Sequence, residues 1–369
     1  MEKHTLLQQL QRLKTGSGSF CGTAGFDAVV DQVAHVVRSV SPNQEKTYFR
    51  TITEFSDHIR SKAGLSGSFE LETVCQKMGG NMTIYSNALG RLGVTMHCIG
   101  SFGSPVSGPF LDMDPRCMRF GICEPGFCQA LEFDDGKLML ASMETLRQIT
   151  WERLAEQLGM DRLLSWAAQD DVIALLNWSE LEGSTQLFRA FYENLLEGQA
   201  ADKGKYLFVD ISDASRRQTS EIREILQLFH RFSHWRTVVL SVNENECRLL
   251  CGALGIAPAM DLARQARELR ERIGIDYLVL HLLDRAMVFH GSGEASRPGY
   301  YIERPLFATG GGDNFNAGFT FGLLSGLSPE DCLSLGNAVS GYYVRQGKSP
   351  DLEQVTAFIA SQQKEEEAC

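Results

Sequence analysis

Four apolar runs punctuate the chain from residue 172 onward, at 172–176, 206–210, 237–241 and 277–281. Each is nearly continuous in its hydrophobicity, as a strand buried on both faces requires. Between them, stretches such as 221–232 and 262–273 repeat apolar residues every three to four positions, the period of a helix with one buried side. Strands and helices alternating in this way predict an α/β fold with a mostly parallel central sheet covered on both faces.

The first half has a different rhythm. Leucines at 6, 7, 10 and 13 predict an amphipathic helix, followed by a Gly/Ser loop over 15–19. The run 22–31 reads as a strand ending in two acidic residues, Asp27 and Asp31, and 96–103 as a buried strand leaving into a glycine turn. Residues 41–68 are polar and read as an insertion with a weak helical period over 51–62. Residues 69–74 alternate with period two, as a strand open to water on one face does. Residues 129–133 and 137–140 flank Asp134-Asp135-Gly136, a strong hairpin signal, so these strands predict a second, smaller sheet. The pair Gly79-Gly80 opens a helix continuing through Leu92, with Asn81 at its start as either a cap or a ligand contact.

Composition narrows the partners. A net charge of −11 argues against nucleic acid and anionic membranes, which attract Lys/Arg-rich surfaces. No apolar stretch approaches the roughly 20 residues of a membrane span, and the N-terminus has no secretion pattern, which together predict a cytoplasmic protein. The ten cysteines contain no C-x-x-C pair and no zinc spacing, so they read as reduced, buried thiols; Cys117, Cys123 and Cys128 form the one local cluster with redox interest.

The chemistry concentrates in 308–319, where Thr309-Gly310-Gly311-Gly312-Asp313 runs into a small-residue helix. Glycine N–H groups and the positive end of a helix cradle an anion. A carboxylate beside such a cradle makes chemical sense if it faces a hydroxyl whose proton must leave. The structural alternative is a glycine turn with Asp313 as helix cap. Asp27 and Asp31 at a strand end would accept hydrogen bonds from substrate hydroxyls, or cap turns. Asn243 and Glu246 follow a central strand and also fit a capping box. Arg216 and Arg217 after another strand, like Arg116 and Arg119, are phosphate contacts or ordinary surface cations.

The ordered set of Asp31, Gly79-Gly80-Asn81, Asn243-x-x-Glu246 and Gly310-Gly311-Gly312-Asp313 resembles the ribokinase-like, PfkB-type carbohydrate kinases over roughly 22–360. The resemblance implies a three-layer α/β/α domain at 22–360 with a small β-sheet lid near 32–75 and 118–142. Residues 1–21 form a helix and loop before it, and 361–369 a charged tail. It implies an ATP- and Mg²⁺-dependent phosphotransferase acting on a sugar or sugar-like small molecule. Asp313 would be the base, with Gly310, Gly311 and Gly312 as the anion hole. Asp27, Asp31, Gly79, Gly80 and Asn81 would hold the substrate. Asn243, Thr309, His281 and Asn337 would line the nucleotide, and Asn243 and Glu246 would organise Mg²⁺.

Departures from the family pattern bear on donor and substrate. Phe307 replaces an acidic residue associated with a monovalent-cation site, which argues against potassium activation. His281-Leu282-Leu283-Asp284-Arg285-Ala286 replaces a Thr-x-Gly-x-x-Gly turn, and Gly100-Ser101-Phe102-Gly103-Ser104-Pro105 lacks the acidic residue of its counterpart. Two other readings stand beside this one: an ADP-dependent sugar kinase, a group whose G-x-G-D element and first strand residues 310–313 and 25–31 resemble, and a sugar or nucleotide sensor that has lost transfer, suggested by the altered 281–286 loop. A homodimer through the lid sheet is a further expectation.

Overall fold

The computed structural model describes residues 6–15, 19–258, 261–303, 305–307 and 309–368; residues 16–18 of the expected loop and Ala308 of the glycine motif lie outside these. In chain order the strands are β1 (Cys21–Phe26), β2 (Val29–Val40), β3 (Lys46–Tyr48), β4 (Leu71–Gly79), β5 (Thr95–Gly100), β6 (Cys117–Gly121) and β7 (Gly126–Phe133). They continue as β8 (Gly136–Ser142), β9 (Val172–Leu175), β10 (Tyr206–Asp210), β11 (Thr237–Val242), β12 (Tyr277–His281), β13 (Arg285–His290) and β14 (Gly293–Pro298).

Nine strands form the large sheet in the order β14-β13-β12-β11-β10-β9-β1-β5-β6. Its strands from β12 through β6 run parallel, and β13 and β14 close one edge as antiparallel neighbours. The predicted buried strands behave as their composition requires. Ile173, Leu207, Leu240 and Leu278 enter one hydrophobic layer, while Ala174, Phe208, Val239 and Val279, one position along, enter the other. Because successive side chains point to opposite faces, both parities must be apolar. The first layer is completed by the helices Trp151–Leu158, Ser184–Leu195, Thr219–Ser233 and Leu262–Ile273. The second holds Asn81–Leu92, Gly311–Leu324 and Pro329–Gln346, and Leu10 of the N-terminal helix Leu6–Thr15 is fully buried in it. Three layers result, as the sequence predicts. The last helix, Leu352–Ala368, extends through most of the charged tail. No helix among the described residues is long and apolar enough to cross a membrane.

The second sheet joins β2, β3, β4, β7 and β8, with β2 antiparallel to β4 and parallel to β7. The predicted hairpin forms as β7 and β8 around Asp134-Asp135. The polar insertion is part of this sheet's packing: Phe55 of the helix Ile52–Ser61 joins Ala34, Val36, Phe49 and Leu131 in a separate small core.

Three expectations change. The run 22–31 is two strands rather than one: β1 ends at Phe26, the chain turns at Asp27, and Asp31 lies inside β2. The lid does not begin at 118, since Cys117–Gly121 is the outer strand of the large sheet beside β5. Arg217 is no phosphate contact: it donates to the carbonyls of Trp178, Ser179 and Leu181, with its guanidinium 4.8 Å from the Trp178 ring. Of the cysteine cluster, all three are buried, and burial pushes the Cys123 and Cys128 thiols up to about 11, away from reactive thiolates.

Removing Arg217 would strand those carbonyls. Arg217→Ala is expected to cost about 2–3 kcal/mol, the scale for hydrogen bonds to a charged group, read as a lower urea midpoint.

Candidate active site

The carboxyl ends of the parallel strands converge on one crevice, where open α/β sheets place their ligands. Asp27, in the turn after β1, is 1% exposed and accepts from the backbone N–H groups of Asn81 at 2.8 Å and Met82 at 3.0 Å. It also accepts from Asn177 Nδ2, just past β9, at 2.8 Å. Asp27 therefore caps the helix Asn81–Leu92 from far along the chain. Asn81 does not cap with its own side chain; its amide donates to Ser212 Oγ at 2.9 Å, one loop beyond β10. Gly80 adopts φ 95°, and a Cβ there would stand 2.9 Å from Asp27 Oδ2, so the approach needs glycine.

At the end of β10, Asp210 accepts from Ser212 N at 2.9 Å and Asn316 Nδ2 at 2.7 Å. Asn316 lies in the helix Gly311–Leu324, and its Oδ1 accepts from Ser241 Oγ of β11 at 2.6 Å. That network pins the glycine-run helix to the two central strands. Gly310 precedes this helix at φ 90°, which turns the chain so that the first N–H groups open on the crevice.

After β11, Asn243 and Glu246 form the capping box. Asn243 Oδ1 accepts from Glu246 N at 3.0 Å, and Glu246 accepts from Asn243 N at 2.9 Å and Asn243 Nδ2 at 2.8 Å. The box nevertheless leaves Glu246 only 7% exposed and facing Asp210, and burial with that charge pushes its carboxyl up to about 8. Burial raises Asp210 to about 6. Asp313, in the first turn after Gly310, is raised well above the ordinary carboxylate range by burial and then by Asp210, Asp27 and Glu246. Asp27 too is raised by burial, against the hydrogen bonds it accepts. Four carboxyl groups thus share one pocket of negative potential. Among the described residues, no three His, Cys, Asp or Glu side chains are placed to hold a metal alone. A cation here would take one or two protein oxygens and complete its shell with water and phosphate, the habit of Mg²⁺.

Two cavities meet at the glycine turn. One, of about 630 Å³, is lined by Asn243, His281, Gly311, Gly312, Phe315 and Asn337. Burial keeps the His281 imidazole neutral, with its proton affinity pushed down to about 4. The other, of about 640 Å³, lies under the lid between His35, Tyr48 and Lys137 on one side and Phe307 and Thr309 on the other. Thr309 therefore faces the lid cavity rather than the one containing Asn337, and Tyr343 Oη donates to its carbonyl at 3.0 Å. Asp31 is buried on β2, with its carboxylate where a Cβ on Gly79 would meet it at 2.6 Å. Arg116 and Arg119 bond to Asp114 and the Phe110 carbonyl. Asp210, Asn177, Ser212 and Asn316 are site residues not picked out from sequence; an acidic residue closing an apolar strand was the available signal for Asp210.

Over residues 15–362 the chain matches the family model described as prokaryotic ketohexokinase. It is 25% identical over 338 residues to the ketohexokinase of Haloferax volcanii, across 91% of this chain and 90% of that protein. Its fold matches the crystal structure of ribokinase from Thermotoga maritima with a TM-score of 0.61 at 15% identity, covering 93% of this chain and 100% of that one. An E. coli protein crystallised with ATP and Mg²⁺ as a candidate ribokinase II matches with a TM-score of 0.62 at 14% identity, covering 93% and 100%.

The raised carboxyls predict a pH dependence of stability. Each binds its proton more tightly folded than unfolded, so its contribution is full below the ordinary carboxylate range. It is lost as pH rises through about 6 for Asp210 and about 8 for Glu246. The ligand-free protein should melt at lower temperature at pH 8.5 than at pH 5, and Glu246→Gln should make that fall shallower. An unchanged slope in thermal unfolding of the variant would remove Glu246 from the account.

Proposed function

The chain belongs to the prokaryotic ketohexokinase family and is a carbohydrate kinase, and from that premise we propose that it moves the γ-phosphate of ATP, with Mg²⁺, onto a hydroxyl of a ketohexose or close relative. The observation that carries the proposal is the position of Asp313. It is a carboxylate with raised proton affinity, one turn inside the N-terminus of the helix that Gly310 aims into the crevice. A base is strengthened when its proton affinity rises from the ordinary carboxylate range toward the working pH, and burial, followed by crowding from Asp210, Asp27 and Glu246, supplies the upward shift.

The acceptor sugar lies between Asp27, Asp31, Gly79, Gly80 and Asn81 and the glycine turn, under the lid sheet. The fixed backbone of Gly80 and the Asp27-Asn177-Asn81-Ser212 hydrogen bonds hold that rim rigid before substrate arrives, which is where positioning catalysis begins. The nucleotide occupies the cavity bounded by His281, Asn337 and Asn243, beside the lid cavity that Thr309 lines, with Pro305 bordering both. A neutral His281 next to Gly312 adds no charge that would compete with the phosphates for the anion hole.

Asp313 takes the proton of the attacking hydroxyl. The N–H groups of Gly310, Gly311 and Gly312 hold the charge on the transferring phosphoryl group, helped by the helix dipole. Asn243 and Glu246, with Asp210 behind them, would hold Mg²⁺ and its waters. Bound there, the cation would neutralise charge on the phosphates and relieve the repulsion among the carboxylates. The lid excludes water from the reacting groups, which protects the nucleotide from hydrolysis.

Asp313→Asn should lower kcat on fructose by about 10²–10⁴-fold, the usual weight of a general base, while ATP affinity measured by calorimetry changes little. Near-native turnover in that variant would remove Asp313 as the base.

A further inference from the structure

Lys77 lies on β4 directly across from Asp31 on β2, so the two side chains share a sheet face. Among the described residues neither makes a hydrogen bond, nor an ion pair within 4 Å, while their neighbours are satisfied: Lys137 pairs with Glu132 at 2.8 Å and Arg50 with Asp134 at 3.2 Å. The Lys77 ammonium rests 4.1 Å from the centre of the Phe307 ring, on the wall of the lid cavity two residues before Thr309. A half-buried ammonium has three donors to satisfy, and an aromatic face supplies charge stabilisation without accepting them all. Asp31 has the complementary need, at 6% exposure. The two groups carry opposite signs, so the pair is balanced and offers a donor and an acceptor side by side.

We propose that Lys77 is a specificity residue for the acceptor: with Asp31 it forms a donor–acceptor couple that grips two neighbouring oxygens of an uncharged sugar. This rests on the kinase reading above and narrows its acceptor to neutral polyols. Asp31 accepts from one sugar hydroxyl, and Lys77 donates to the next hydroxyl or to the carbonyl or ring oxygen. An acceptor with its own carboxylate or phosphate there would face Asp31, and an amino sugar would face Lys77, so the couple rejects both charges. Because Lys77 rides on the lid while Phe307 leads into the Gly310 turn, a sugar engaging Lys77 also ties the lid to the turn.

The test uses the full-length enzyme with fructose, a hexuronate, a hexose phosphate and an aminohexose, following ADP release, with acceptor binding measured in parallel by calorimetry. Wild type should favour fructose over each charged acceptor. Lys77→Met should raise the KM for fructose about tenfold, the loss of one charge-assisted hydrogen bond, and leave the KM for ATP unchanged. It should also relax rejection of the aminohexose, whereas Asp31→Asn should relax rejection of the hexuronate and the phosphate ester. Lys77→Arg should restore most of the fructose affinity. A purely structural role would instead depress all acceptors equally in both variants, and that result, or a wild type preferring either anionic acceptor, would overturn the proposal. Fructose binding that Lys77→Met weakens about tenfold with no ADP released from any acceptor would sustain the couple and sink the kinase reading. Fructose turnover with unaltered selectivity in the variants would do the reverse.

Discussion

The desolvation of clustered carboxyl groups, with their mutual repulsion added to it, is the constraint on which the crevice is organised. Asp27, Asp210, Glu246 and Asp313 come from four separate segments and are held close in a setting that penalises each charge. Fixed dipoles make the arrangement tolerable. Asp27 takes two helix N–H groups and an amide, Asp210 takes an amide and an N–H, and Glu246 is held inside a capping box. Among the described residues, Asp313, at a helix start, has no comparable set of external donors. The fold thus places its polar partners on three of the four carboxyl groups.

Those same bonds are the struts of the architecture. Asn316 ties the helix behind the glycine turn to β10 and β11, and Asn81 ties the start of another helix to the loop after β10. Moving either strand end would therefore move both the glycine turn and the Gly80–Asn81 helix start. The lid is attached differently: β2 and β4 leave the crevice at Asp27 and Gly79, and their far ends are stabilised by the small aromatic core around Phe55. Rigid floor and separately packed roof suit a reaction that needs fixed groups below and a removable cover above.

The large sheet was legible because its strands obey the strongest sequence signal, continuous apolar runs between helical periods. The site was legible where chemistry and local geometry coincide, as at Gly310–Asp313 and Asn243–Glu246. It was least legible where a residue acts across long sequence distance. Asp27 caps a helix that begins at Asn81, and nothing local to either announces the partnership, so Asn81 looked like its own cap. The split of 22–31 into two strands escaped the sequence for a related reason. Residues 22–26 and 29–31 are both strand-like, and the turn at Asp27 is fixed by bonds to Asn81, Met82 and Asn177.

The departures from the family pattern become intelligible in the same terms. Where relatives have a Thr-x-Gly-x-x-Gly turn, His281 through Arg285 form a short antiparallel corner, closed by Leu282 N donating to the Arg285 carbonyl at 2.8 Å. The corner needs no glycine because β12 and β13 pair directly; His281, Asp284 and Arg285 all line the cavity there, and burial keeps the imidazole neutral. Phe307, standing where a carboxylate is usual, likewise adds no negative charge and instead offers its face to Lys77. Phe307 and His281 bring no negative charge to the glycine turn, and Asp284 is offset by Arg285 at 3.6 Å, so the four clustered carboxyl groups dominate the local field. On the function proposed above, a bound cation would offset that field and the rim would select the sugar by hydrogen bonding.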